Sequence, residues 1–151
     1  MATTRRNPYG AFKFQVEFGA VQDGPGAFSA GFSDVSGLGM EMNYSDYREG
    51  TDATNTVRKI PNTFKHDAVT FKRGLVGATD LFDWIKAIRE GGQQPRTVTI
   101  VVLDEAGTDV LHIRLTNAQA SKWVGPTLAA KGGGEVAMEE LHVVYEQIDY
   151  E

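Results

Sequence analysis

Residues 97–117 read TVTIVVLDEAGTDVLHIRLTN and predict the centre of the fold. Residues 97–103 are a nearly continuous apolar run, which is typical of a strand that is covered on both faces. Residues 104–107 form a connection of hairpin length, and alternate positions of residues 110–117 are apolar. We therefore expect an antiparallel hairpin with these core side chains: Val98, Ile100, Val101, Val102, Leu103, Leu111, Ile113 and Leu115.

Alternating apolar and polar residues predict further strands on both sides of this hairpin. They cover residues 12–18, 28–35 with an interruption at Gly31, 40–44, 57–60, 68–75 and 118–124. Pro61 is expected to end the strand at 57–60, because proline cannot donate a hydrogen bond to a ladder. Residues 135–150 predict a long last strand, in which a β-bulge at Glu139 and Glu140 moves the apolar face from even to odd positions.

One helix is predicted, at residues 79–90. Thr79 is suited to the N-cap position, and Gly91 with Gly92 ends the helical pattern. Its apolar side chains recur at helical spacing, which predicts that the helix covers one face or end of the sheets: Leu81, Trp84, Ile85 and Ile88. The fold class is therefore mainly β, with two packed antiparallel sheets forming a β-barrel-like domain, one peripheral α-helix at about 79–90, and a single domain over residues 1–151.

The composition limits the classes of function. A net charge of −5, without a segregated basic region, argues against a nucleic-acid binder. The absence of cysteine excludes disulfides and thiolate chemistry. No apolar run reaches the roughly 18 residues of a membrane span, and no apolar segment follows the first residues, so we expect no cleavable signal peptide.

No group of residues predicts catalysis or metal binding. The three histidines, His66, His112 and His142, lack the spacing of metal ligands. The acidic residues of the loop at 44–61 lack the pattern of a calcium loop, and the helix carboxylates Asp83 and Glu90 are expected to be solvent charges. We therefore predict a protein that is not an enzyme and needs no cofactor or metal.

Residues 44–61 form the longest polar segment in the middle of the sequence. Residues 49–56 contain no large apolar side chain. Burial of apolar surface therefore offsets little of the conformational entropy that is lost when the segment becomes ordered. Such segments in compact domains are often binding loops. Two hypotheses follow: contact with another copy of the chain, or a monomeric β-domain that binds a small ligand or carbohydrate through this loop, with Tyr44 and Tyr47 as its aromatic contacts.

Several motifs resemble, in order, the tail tube proteins of contractile phages and the inner tube subunits of phage-tail-like contractile injection systems. They are NPYGAFKF (7–14), FSDVSGL (32–38), YREG (47–50), NTVRKIP (55–61), VTFKRG (69–74), LFDW (81–84) and LDEAG (103–107). The resemblance continues through residues 117–123 and 134–137 and spans residues 7–146, nearly the whole chain.

The resemblance implies a structural subunit that forms homohexameric rings, which stack into a hollow tube. A contracting sheath drives such a tube through a target envelope, and the tube conducts cargo or DNA. The implied partners are further copies of the chain, the sheath protein, baseplate or initiator tube proteins, and a tape-measure protein or cargo in the lumen. The implied location is a virion tail or a released, extracellular tail-like particle that is assembled in the cytoplasm.

The resemblance also implies roles for individual segments. Residues 1–10 form an N-terminal arm, and the loop at about 44–61 extends to the neighbouring ring. The residues implied in contacts between subunits or rings are Leu38, Met40, Met42, Tyr44, Asp46, Tyr47, Arg48, Glu49, Asp52, Thr54, Asn55, Val57 and Arg58. The helix is implied to face the sheath through Asp80, Asp83, Lys86 and Glu90.

Overall fold

The computed structural model describes residues 7–10, 13–21, 26–51, 53–75, 77–132 and 136–151. Ten strands and one helix follow one another in this part of the chain. They are β1 (Phe14–Phe18), β2 (Phe28–Ala30), β3 (Asp34–Ser36), β4 (Met40–Tyr47), β5 (Arg58–His66), β6 (Val69–Gly74), α1 (Asp80–Gly91), β7 (Arg96–Leu103), β8 (Asp109–Val124), β9 (Met138–Val144) and β10 (Gln147–Tyr150).

Two antiparallel sheets share the long strand β8. The first sheet has the order β2-β1-β7-β8-β10, and the second has the order β8-β9-β6-β3. Among the described residues the joint path ends at β2 and β3, so the domain is barrel-like without a closing pair of strands. The predicted fold class, mainly β with two antiparallel sheets and one helix, is confirmed.

Strand β8 differs from the prediction of two separate strands at 110–117 and 118–124. It is one strand of 16 residues that pairs with β7 in its first part and with β9 in its second. At the junction Asn117 has a φ of 51°, and the pairing with β7 shifts between Val98↔Leu115 and Arg96↔Ala118. Asparagine tolerates a positive φ better than most residues. The register shift places one extra residue on β8 at this point, and this bulge bends the strand from the first sheet into the second.

The core lies between the two sheets and under the helix. Its fully buried side chains are Trp84, Phe18, Phe71, Leu81, Leu115, Leu141, Val16, Val69, Val98 and Val143. The helix is confirmed, with Leu81 and Trp84 buried and Ile85 and Ile88 packed against the core. Thr79 occupies the N-cap position without a capping bond, because its hydroxyl donates to the Asp83 carboxylate at 3.0 Å.

The predicted bulge at Glu139 and Glu140 is wrong. The β6–β9 pairing is regular through both residues, and the odd positions from 139 to 145 all face inward. The shift in register lies on β8 instead, between Ala120 and Lys122. The last strand also divides into β9 and β10, which belong to different sheets.

Three further strand predictions need correction. Residues 28–35 form β2 and the start of β3, which lie in different sheets. Pro61 lies inside β5, next to a shift in register. In the described part of the chain neither strand of the hairpin has a further strand partner, so a missing N–H is tolerated there. Strand β7 is only partly covered on its second face, since Val101 is buried but Thr97 is exposed.

Phe12 and the glycines at 133 and 134 lie outside the described residues. In the part of the chain that is described, no helix is long and apolar enough to cross a membrane.

Candidate assembly surface

The β4–β5 hairpin stands apart from both sheets. Its two strands are hydrogen-bonded only to each other among the described residues, and nearly all of their side chains are exposed. An isolated two-stranded hairpin is marginally stable in water. The polar loop predicted at 44–61 is thus the outer part of a longer hairpin that extends from Met40 to His66.

One face of this hairpin carries an exposed apolar stripe. Met40, Met42 and Tyr44 share a face of β4, and Phe64 and Pro61 are opposite Met42 and Tyr44 on β5. Met40, Tyr44 and Phe64 are 58%, 57% and 59% exposed. Contiguous exposed apolar side chains mark interaction sites on soluble proteins. We call this set of five residues the hairpin stripe.

Polar contacts hold the outer part of the hairpin together. Lys59 pairs with Asp46, both exposed, and the Tyr47 hydroxyl donates to Glu49 at 3.2 Å. Arg48 donates to the Thr54 carbonyl at 3.3 Å and to the Asn55 side chain at 3.4 Å. Exposed ion pairs contribute about 0–1 kcal/mol to stability. Contacts with a binding partner therefore replace them at little cost in free energy.

The root of the hairpin, at Gly39 and His66, is attached to the core through Tyr145. The Tyr145 hydroxyl donates to the Gly39 carbonyl at 3.1 Å, and its ring lies 5.2 Å from the His66 ring. Burial raises the pKa of Tyr145, which keeps the hydroxyl a donor. Gly37 has a φ of +88°, and a Cβ there would lie 2.4 Å from the Ala68 carbonyl oxygen, so only glycine fits this approach.

Most of the residues implied in subunit contacts lie together on this hairpin. Leu38 differs, because it is half-buried and packs against the core. Asp52 lies outside the described residues. Phe64 belongs to the same exposed surface but lies outside the predicted segment, because Pro61 is expected to end the strand. The alternation of Asn62, Phe64 and His66 with Thr63 and Lys65 continues the strand and is the signal that finds Phe64.

The helix presents three of its four predicted charges to solvent. Asp83, Lys86 and Glu90 are exposed. Asp80 instead accepts a hydrogen bond from Arg73 and forms an ion pair with it. Arg73 also pairs with the buried Glu139, and these contacts outweigh the effect of burial and raise the pKa of Arg73.

Neither a metal site nor a ligand platform is formed by the predicted residues. In the ranges that the structure describes, no three His, Asp or Glu side chains are grouped to hold a metal ion. Tyr44 and Tyr47 are three positions apart on β4 and therefore project from opposite faces. They do not form a joint aromatic surface, so the ligand-binding hypothesis is not supported.

Several solved structures share the fold of this chain. A chain of the anti-feeding prophage baseplate, 6-fold symmetrised, aligns with a TM-score of 0.81 and 24% identity over 97% of both chains. A chain of the PVC sheath-tube complex, an extracellular contractile injection system in the extended state, aligns with a TM-score of 0.77 and 25% identity over 95% of this chain and 91% of that one. Hcp1 from Flavobacterium johnsoniae aligns with a TM-score of 0.53 and 9% identity over 91% and 93% of the two chains.

The sequence itself gives the family. Comparison with curated protein sequences gives no significant match. A family model described as T4-like virus tail tube protein gp19 matches residues 10–149, which is nearly the whole chain. The chain therefore belongs to the T4-like virus tail tube protein family, a family of structural tube subunits and not of enzymes, and the resemblance seen in its motifs is confirmed.

Proposed function

We propose that six copies of this chain form a ring and that the rings stack into a hollow tube inside a contractile sheath. The proposal is supported by the family and by the fold shared with a chain from a 6-fold symmetrised baseplate and a chain from a sheath-tube complex. Repetition of one contact around a closed ring and along an axis uses the same surfaces on every copy.

The observation that carries the proposal is the exposed hairpin. The hairpin stripe places three large apolar side chains in water, on two strands that lack other strand partners in the described part of the chain. A monomer gains nothing from this arrangement, whereas a neighbouring ring that covers the stripe gains apolar burial. In this proposal residues 44–61 contact the next ring, and the residues of the root and stripe share the contact.

Other parts of the chain take further roles in the proposed particle. The helix faces the sheath through Asp83, Lys86 and Glu90. Baseplate or initiator proteins start the tube, and a tape-measure protein or cargo occupies its lumen. The subunit is made in the cytoplasm and joins a phage tail or an extracellular injection particle.

The test is assembly of the purified protein. Negative-stain images and analytical ultracentrifugation of concentrated protein, alone and with its baseplate proteins, are expected to show rings or tubes with sixfold symmetry. The contacts are expected to bury on the order of 2,000 Å² or more per interface, as in obligate assemblies. A protein that stays monomeric under all of these conditions contradicts the proposal.

A further inference from the structure

The hairpin stripe contains two of the four methionines of the chain, Met40 and Met42. Met40 is exposed, and Met42, two positions further along the same face of β4, is half-buried. Methionine usually fills gaps in apolar cores. Neither of these side chains is among the described core residues, so two thioethers lie on the surface that a neighbouring ring covers in the proposed tube.

Solutes in water have open access to the Met40 side chain. It borders a groove of about 950 Å³ between β5 and the residues that lead into β10. Met42 lies further along the strand and faces the Phe64 ring across the ladder. Because Met40 is the more exposed of the two, a dissolved reagent is expected to reach its sulfur first.

Peroxides are the class of reagent that reacts with such a side chain. The sequence contains no cysteine, so the methionine thioethers are the side chains of this chain that a peroxide oxidises most readily. The Met40 sulfur attacks one oxygen of hydrogen peroxide with a lone pair, an S–O bond forms, and the O–O bond breaks. The thioether is oxidised by two electrons to a sulfoxide, and the second peroxide oxygen leaves with both protons as water.

The sulfoxide changes the stripe without changing the core. Its oxygen is a strong hydrogen-bond acceptor, and water satisfies it in the free subunit, where Met40 is exposed. When a neighbouring ring covers the stripe, this oxygen loses its water. The adjacent stripe side chains, Met42 and Phe64, have no hydrogen-bond donor to replace it. Burial of an unsatisfied polar group is unfavourable, so oxidation opposes stacking.

We propose that Met40 is a reversible oxidation site that controls assembly, with a peroxide as its oxidant and Met42 as a slower second site. The sulfoxide form of the subunit stays unstacked, and a stacked subunit is protected because its stripe is covered. The inference rests on the proposed function, in which rings stack through the hairpin. A methionine sulfoxide reductase with a dithiol as reductant restores the thioether and forms a disulfide and water.

Peptide mass spectrometry of peroxide-treated free subunits tests the position of the site. Met40 is expected to be oxidised faster than the half-buried Met42 and Met138. In tubes that are assembled before treatment, oxidation of Met40 is expected to be at least about tenfold slower than in free subunits. Equal rates for Met40 in the two states, or oxidation of Met42 before Met40, would overturn the inference.

Sedimentation of the oxidised subunits, after catalase has removed the peroxide, measures the effect on stacking. The assembled fraction is expected to fall by at least about tenfold when Met40 is fully oxidised, because the sulfoxide resists burial. Circular dichroism is expected to show an unchanged fold, and reductase with dithiothreitol is expected to restore assembly. Loss of the fold on oxidation would place the damage in the core and overturn the inference.

Matched variants separate Met40 from the other oxidisable residues. Met40→Leu combined with Met42→Leu keeps the apolar volume and cannot form a sulfoxide, so this protein is expected to assemble equally well before and after peroxide treatment. Met40→Gln introduces a polar group of similar length without any oxidant, and it is expected to assemble at least about tenfold less than Met40→Leu. A leucine variant that peroxide inhibits as strongly as the wild type would contradict the assignment.

The outcomes distinguish this inference from the proposed function. Wild-type protein that carries the Met40 sulfoxide and still assembles like untreated protein overturns the oxidation site and leaves the tube proposal standing. Untreated protein that never assembles contradicts the proposed function itself, and the inference falls with it.

Discussion

Arg73 and Glu139 face each other across the β6–β9 ladder and form an ion pair in the interior of the domain. Glu139 is 3% exposed, and its second carboxylate oxygen accepts a hydrogen bond from the Trp123 indole at 3.3 Å. Arg73 also pairs with Asp80 in the first turn of α1. One guanidinium thus joins both strands to the start of the helix.

Removal of Glu139 is expected to destabilise the domain strongly. Glu139→Ala leaves Arg73 buried with the partly exposed Asp80 and the Ala78 carbonyl as its remaining polar partners among the described residues. Loss of one member of a buried pair costs about 3–5 kcal/mol. Urea denaturation gives the free energy of unfolding. The combined change Arg73→Met with Glu139→Leu is expected to recover most of the loss, because it leaves no buried charge on either strand.

The neighbouring pair provides the control for this prediction. Lys72 and Glu140 pair at 3.2 Å on the other face of the same two strands, where both are partly exposed. Glu140→Ala is expected to leave the free energy of unfolding nearly unchanged. Equal losses for Glu139→Ala and Glu140→Ala would show that burial does not determine the cost.

Trp84→Ala is expected to cost about 3–5 kcal/mol, as large-to-small changes in cores do. Trp84 is 1% exposed, contacts the Phe18 ring edge-on at 5.8 Å, and donates to the Gln94 carbonyl at 2.9 Å. Lys86→Ala on the exposed face of the same helix is the control. An unchanged melting temperature for Trp84→Ala would mean that the helix does not hold the core.

Arg96→Met is expected to leave the domain as stable as the wild type or to stabilise it by on the order of 1 kcal/mol. Arg96 is 3% exposed, and its guanidinium nitrogens have no hydrogen-bond partner among the described residues. Burial lowers the pKa of Arg96. Its contacts with the rings of Trp84 and Phe28, at 4.6 and 5.1 Å, offset part of the cost.

Thermal denaturation of the free subunit measures this change, and Arg89→Met, on the exposed end of the helix, controls for loss of charge alone. A fall in stability of several kcal/mol for Arg96→Met would contradict the prediction and would show that the guanidinium is paired.

Tyr145→Phe is expected to cost about 0.5–1.5 kcal/mol near neutral pH, since one neutral hydrogen bond to Gly39 is lost. The raised pKa of Tyr145 also predicts a dependence on pH. The unfolded state releases the phenol proton first, so this contribution is fully present below the ordinary tyrosine pKa of 10.0 and is lost as the pH rises through the higher folded-state value.

Urea denaturation at a series of alkaline pH values compares the two proteins, because both share every other titrating group. The stability difference between wild type and Tyr145→Phe is expected to shrink above pH 10. A difference that grows with pH would give the wrong sign and contradict the assignment.

Deletion of residues 50–56 is expected to leave a folded subunit that stacks poorly. The described residues of this segment, 50–51 and 53–56, are exposed and do not belong to the core. Circular dichroism is expected to show an unchanged fold, and electron microscopy is expected to show short or absent tubes. Global unfolding of the deletion protein would contradict the first expectation, and tubes of normal length would contradict the second.

The sequence predicts the helix and the central hairpin well, because their apolar periodicities are long and agree with local residue preferences. It fails at Glu139, where a charge occupies an inward position. The partner that permits this, Arg73, is 66 residues away and cannot be found from a local pattern. The local pattern therefore predicts a bulge at Glu139 and Glu140, where the β6–β9 pairing is regular.

Other incorrect strand predictions also depend on tertiary contacts that the local sequence does not show. Proline is excluded from a strand with two neighbours, yet Pro61 is tolerated because β5 has one strand partner, β4, among the described residues. The sequence likewise cannot show that β8 continues through Asn117 and changes sheets there. The polarity of residues 44–61 predicts a binding segment there. The hairpin stripe, in contrast, depends on cross-strand pairing that brings Phe64 beside Met42.

The continuity of β8 has a mechanical consequence. Layers that touch only through side chains can slide when a force acts along them, since apolar contacts are non-directional. Here one backbone is hydrogen-bonded to β7 in the first layer and to β9 in the second. Shear between the layers must therefore stretch a covalent chain or break several ladder bonds together, and a subunit that is pushed along its axis resists deformation through its backbone.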